Sequence, residues 1–202
     1  MDPRLTEFRL RFPASQIGYL ANRYSDPGDD VIERVIAPRI RKMGYLRKPD
    51  FIRLCRWKTP RSHRHVRKNS DAFIRAVTAT AFSSANERLR IEVLTLLDGV
   101  DWPTASVILH FGHRDPYPIL DVRAVWSLGI DKPPKYDFRF WQAYTRFCRT
   151  LSKKSSRSLG TLDRALWQYS KENQEPAVAR FARHDNPLTR KGNRRNQASR
   201  DL

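Results

Sequence analysis

Asp121 opens the stretch Asp121-Val122-Arg123-Ala124-Val125 directly after a proline-containing loop, Gly112 to Leu120. A carboxylate at a helix start caps the free backbone amides of the first turn. Held rigidly beside a reacting group, it also stabilises positive charge as that charge develops. One residue can do both. Upstream lies Leu97-Asp98-Gly99-Val100-Asp101-Trp102-Pro103-Thr104-Ala105-Ser106-Val107-Ile108-Leu109. Its tight break joins two helical stretches. Such a hairpin exposes backbone amides at the start of the second helix, and with the helix dipole they bind a phosphate without reading bases. Gly99 permits close backbone approach and Ala105 close helix packing. Asp101 tolerates a left-handed conformation better than most residues, and it can cap the second helix.

The densest charge lies from Arg41 to Lys68, where eleven Lys and Arg residues face the single acid Asp50. Tyr45 and Trp57 are interleaved with them. A solvated helix face explains charge alone; cations mixed with aromatics suit a nucleic-acid groove. Arg56, Arg61, Arg64 and Lys68 are candidate phosphate contacts. So are Arg123 and the hairpin residues Gly99, Val100, Asp101, Trp102 and Thr104. Trp57, Lys58, Tyr117 and Trp126 are candidates for a base pocket, since an aromatic beside a cation can stack on an extruded base and then hydrogen-bond to it. Each Trp taken alone reads better as core. Cys55, His63 and His65 fit no ordinary zinc spacing, and no metal is expected.

Apolar residues at helical spacing predict the elements that carry these groups. Short helices are expected over Ala14 to Tyr24, from Asp29 or Asp30 to near Gly44, and from Pro49 to just before Pro60. Asn69-Ser70-Asp71 caps the next, holding Phe73, Ile74, Val77 and Phe82. Asn86 to Leu97 and about Pro103 to Phe111 flank the hairpin. Further helices start at Asp121 and span about Phe138 to Leu151 and Leu159 to Tyr169. The expected fold is all-α, a bundle of roughly eight to ten short helices over residues 1–174, with the paired helices of the hairpin at 87–111. Residues 175–202 carry seven basic residues, three acidic ones and few apolar side chains. They read as a basic, disordered tail that adds non-specific phosphate attraction.

Composition narrows the partners. The 202 residues hold 39 Lys and Arg against 21 Asp and Glu, for a net charge of +18. That excess points to a polyanion. A content of 40% hydrophobic and 11% aromatic residues is too apolar for a disordered basic protein. Two cysteines, Cys55 and Cys148, exclude a disulfide framework and a four-cysteine iron–sulfur site. No signal-peptide core and no long apolar run is present. The expectation is a cytoplasmic monomer that binds double-stranded DNA and no membrane.

The hairpin segment resembles the helix–hairpin–helix motif. Together with Tyr117-Pro118-Ile119-Leu120-Asp121-Val122-Arg123-Ala124-Val125, it is similar to the helix–hairpin–helix DNA glycosylase superfamily. The resemblance is strongest from about Asn86 to Gly129 and extends to Leu162-Asp163-Arg164-Ala165-Leu166-Trp167. It implies a glycosylase-like bundle in which Asp121 holds the catalytic position. There, a carboxylate stabilises the cation formed as the base leaves the sugar, after the base has been flipped from the stack. The family's second hairpin glycine is Asp101 here, which puts a negative charge beside the expected phosphate. Bifunctional members carry a catalytic Lys where this chain has Pro103, whose nitrogen cannot form a Schiff base. The resemblance therefore implies a monofunctional enzyme that leaves an abasic site, without cofactor beyond a structural monovalent cation at the hairpin.

In size, charge and hairpin the chain also resembles small bacterial glycosylase-like proteins of phage defence, some of which remove glucosylated hydroxymethylcytosine. On that resemblance, Lys58, Arg61, Ser62 and His63 would meet the sugar. Repair of an alkylated or oxidised base is the alternative substrate reading. A non-catalytic hairpin DNA-binding protein and an RNA-associated basic protein are the readings from other classes.

Overall fold

Apolar residues at helical spacing, punctuated by Pro, Gly and short polar caps, build ten α-helices over the described residues, 8–26 and 28–174 of a computed structural model. The predicted tail, 175–202, lies outside the described residues. After a 3₁₀ turn at Ala14–Gln16 come α1 (Ile17–Arg23) and α2, residues 29–43, which passes through a π-helical segment, Ile32–Ile36. Next are α3 (Lys48–Lys58), α4 (His63–Val66), α5 (Asp71–Ser83) and α6 (Glu87–Glu92), the last tightening into a 3₁₀ turn, Val93–Leu96. The chain continues through α7 (Trp102–Gly112), α8 (Val122–Ser127), α9 (Phe138–Lys154) and α10 (Leu159–Asn173). The described residues contain no strand, so the all-α fold class holds. None of their helices is long and apolar enough to cross a membrane.

The boundaries have local causes. Ser70, Asn86, Asp137 and Ser158 each accept a first-turn amide of the helix they precede. Gly44 ends α2 at φ 74°, the left-handed stop that glycine adopts without strain.

α7 is the central helix. Thr104 through Leu109, Phe111 and Gly112 are all buried. A helix apolar around its whole circumference needs neighbours on every side, and α2, α3, α5 and α6 surround it. α9 presents Phe140, Trp141, Tyr144 and Cys148 to the core and its cations outward. α10 packs along α1 and α8.

Several apolar residues at helical spacing face solvent. Val35 is turned out where the π segment puts Ile32, Ile36 and Ile40 inward at a spacing of four. Leu96 is 63% exposed, because the helix predicted to reach Leu97 tightens to a 3₁₀ turn that swings Leu97 into the core instead. Phe73 and Leu89 are exposed near the starts of α5 and α6.

Candidate active site

Asp121 precedes α8 in extended conformation, and its Oδ1 accepts the Arg123 amide at 2.8 Å. Its Oδ2 pairs with Nζ of Lys58, the last residue of α3. Both side chains are largely buried, with 21% and 10% exposure. Burial pushes the Asp121 carboxyl up, but the Lys58 charge and hydrogen bond and the Arg123 amide outweigh it and hold the group below its ordinary range.

The loop before Asp121 is fastened at almost every residue. Arg149 Nε donates to the Pro116 carbonyl (2.9 Å), His110 Nδ1 to the Tyr117 carbonyl (2.6 Å) and the Tyr144 hydroxyl to the Ile119 carbonyl (2.8 Å). The Ile119 amide donates to Asp163 Oδ2 (3.2 Å) and the Leu120 amide to Ser106 Oγ (2.8 Å). A carboxylate carried on such a loop has little freedom to drift, which is what a preorganised site requires.

Asp121 and Lys58 stand on the wall of a cavity of about 210 Å³. Tyr24, Trp57, Phe111 and Trp167 supply its aromatic surface; Asp26, Asp29, Glu33 and Asp163 add acids; His110 and Arg164 complete the polar lining. Five of the 21 acids of a chain of net charge +18 thus line one cavity. Asp29 Oδ1 accepts the Trp57 indole N–H at 2.9 Å, which fixes that ring, and Glu33 pairs with Arg164. Burial depresses His110 to about 4, so the imidazole is neutral at pH 7.

The hairpin lies at residues 97–102. Gly99 has φ +80°, and a Cβ there would come within 2.9 Å of His65 Cβ and Val66 Cγ1 and 3.0 Å of the Val66 backbone nitrogen. The close approach that the glycine permits is to α4. Asn69 clamps the turn: its Oδ1 accepts the Asp98 amide (2.9 Å), and its Nδ2 donates to the Asp98 and Val66 carbonyls (both 3.0 Å). Asp101 is not left-handed. At φ −117° it caps α7, accepting the Trp102 amide at 2.7 Å, because the helix begins one residue later and needs an extended cap.

Of the predicted pocket residues, Trp57 and Lys58 line the cavity; Tyr117 and Trp126 do not. Tyr117 is buried, stacked on Trp141, with its hydroxyl held by Arg90 at 2.7 Å. Trp126 stacks on Tyr169 and lies under Arg11. At about 100° per residue, a side chain five positions after Asp121 leaves on a different face of α8. Val100 and Thr104 are buried, and the Val100 amide is already given to the Leu97 carbonyl at 3.0 Å; Trp102 is half-buried. Arg123 is half-buried with its guanidinium over Trp167, while Arg56, Arg61, Arg64 and Lys68 are exposed.

Asp29, Asp163, Tyr24 and Trp167 are pocket residues that sequence reasoning passed over. One signal was present. Gly160, Asp163, Arg164 and Trp167 recur at the i, i+3, i+4, i+7 spacing of a single helix face, and all four line the cavity. No family model, curated protein or solved structure matches this chain.

Proposed function

We propose that the chain is a DNA N-glycosylase: it draws one base out of the duplex into the cavity and hydrolyses its bond to the sugar. The observation that carries this reading is Asp121, an ionised, rigidly mounted carboxylate on the wall of a cavity rich in aromatics. As the glycosidic bond breaks, C1′ gains positive charge, and a fixed carboxylate beside it lowers the barrier. The Trp57, Trp167 and Phe111 rings suit a flat heterocycle. The volume, below the ~300–1,000 Å³ usual for drug-sized ligands, is on the scale of a single base. A hexose attached to that base would have to project through the mouth.

The reaction needs no covalent enzyme intermediate. Pro103 occupies the first turn of α7 and has no amine to offer. Lys58 Nζ is committed to Asp121. Water attacks C1′, and an abasic site remains. DNA is held chiefly by exposed cations. Within the hairpin, the Trp102 amide is taken by Asp101, Pro103 has none and Thr104 is buried, so the first turn of α7 offers a phosphate little and the cations carry the binding.

The test is single-turnover base release from duplexes carrying uracil, 8-oxoguanine, alkyladenine, hydroxymethylcytosine or glucosylated hydroxymethylcytosine, with Asp121→Asn as control. Strand breaks that appear only after alkali, and only with Asp121 intact, are the expected result. Tight duplex binding with no release from any substrate would transfer the chain to the non-catalytic DNA-binding class.

A further inference from the structure

Two carboxyls on one cavity wall are held in opposite ways. Asp121 has a cation on one oxygen and an amide on the other. Asp163, on α10, has an amide but no cation. Its Oδ2 accepts the Ile119 amide at 3.2 Å and lies 3.4 Å from His110 Nδ1. That nitrogen gives its hydrogen to the closer Tyr117 carbonyl at 2.6 Å, and the ring is neutral. Asp163 Oδ1 is buried and finds no partner among the described residues. A buried carboxylate with one long hydrogen bond and no paired cation is costly; a neutral carboxylic acid is not. A buried oxygen without a partner calls for an explanation, and a protonated, uncharged Asp163 carboxyl on the cavity lining supplies one.

We propose that Asp163 is a second catalytic carboxyl, the general acid that protonates the departing base while Asp121 faces the sugar. This rests on the glycosylase reading. The C1′–N bond breaks and its electron pair goes to the base nitrogen. The Asp163 proton is transferred to the base, either at that nitrogen or at a ring atom conjugated with it. Water adds to C1′ and its released proton restores Asp163. Atoms and charge balance, and no other reactant is needed.

The surroundings of Asp163 agree. Lys58 comes from α3, His110 from α7, Asp121 from the loop, and Tyr144 and Cys148 from α9. Burial, with the Asp121 charge added, raises the carboxyl well above its ordinary range, against the pull of the Ile119 amide and Lys58. Two like groups driven apart by their environments are the usual basis of an acid and base division of labour.

The experiment compares wild type, Asp163→Asn and Asp121→Asn on two kinds of duplex. One carries 7-methylguanine, whose ring is already cationic and leaves without protonation. The other carries the neutral bases of the panel above. Asp163→Asn should lose about 100-fold or more on a neutral base and less than about threefold on 7-methylguanine, while Asp121→Asn loses on both. Wild-type release of a neutral base should also fall on the alkaline side, with that limb missing in Asp163→Asn. Equal losses on the two kinds of base, or an alkaline limb absent from the wild type or shared by the variant, overturn the role of Asp163. Wild-type release that Asp121→Asn leaves intact, or no release at all, overturns the underlying glycosylase reading.

Discussion

The Lys58 ammonium, at the end of α3, donates to Asp121 Oδ2, at the start of α8, across 63 residues of chain. It sets the charge state of the carboxylate that the proposed chemistry depends on. In Lys58→Gln the cation is gone and only the Arg123 amide and charge oppose burial, so the Asp121 carboxyl rises. The acid limb of base release should move to higher pH, so that the rate falls away sooner on acidification than in the wild type. Lys58→Arg should keep the limb in place. A limb that stays put in Lys58→Gln would show that the pair does not control Asp121. Borohydride treatment during turnover should trap no protein–DNA adduct.

Gly99 and Asn69 hold the hairpin from opposite sides. Gly99→Ala introduces a side chain at φ +80° that collides with His65 and Val66, including the Val66 backbone. Strain of this type costs about 1–3 kcal/mol. Asn69→Ala removes three hydrogen bonds and leaves buried partners unsatisfied, at a similar cost. Thermal unfolding should show each variant melting several degrees lower. A Gly99→Ala melting point equal to wild type would mean that α4 and the hairpin are not packed as described.

What the sequence discloses about this molecule is mostly local. Ser70 and Asp121 are legible as caps because a cap needs only its own first turn. Pro49 and Gly44 mark boundaries for the same reason. The Lys58–Asp121 pair is not legible, since nothing in either neighbourhood names the other. Tyr117 shows the converse. An aromatic between two prolines, four residues before Asp121, reads as a ligand contact; Arg90, 27 residues away, and Trp141 decide instead that it is core. The π segment in α2 is similarly silent, because its apolar residues satisfy an ordinary helical spacing.

His110 and Asp163 act oppositely on stability. Burial lowers His110 from 6.5 to about 4. Between those values the unfolded chain holds a proton that the folded chain lacks, so this contribution strengthens as pH rises and is lost as pH falls, by on the order of 3 kcal/mol. Asp163 is raised. Above the ordinary carboxylate range the folded chain keeps a proton that the unfolded chain has released, and this contribution weakens as pH rises. The two oppose each other between about pH 4 and 6.5. Wild-type melting temperature should therefore vary less steeply across that window than that of a variant lacking either group. Asp163→Asn should show it climbing with pH by several degrees, and His110→Gln should show it declining. Parallel profiles for the two variants would contradict the assignment of a neutral His110 beside a protonated Asp163.

Arg56, Arg64 and Lys68 are exposed and follow one another along α3, α4 and the turn after it. Each is long enough to reach a phosphate from that surface. Duplex affinity should fall steeply with salt, because every neutralised phosphate releases counterions. The slope of log affinity against log salt should shrink by roughly 0.9 for each contact removed, so the triple alanine variant should flatten it markedly. Lys153→Ala, at the exposed end of α9, should leave the slope unchanged. Since no base edge is read by these cations, the loss should be the same for duplexes of different sequence. A slope that the triple variant does not alter would place the DNA on another face. The cavity mouth and the basic segment would then belong to separate surfaces.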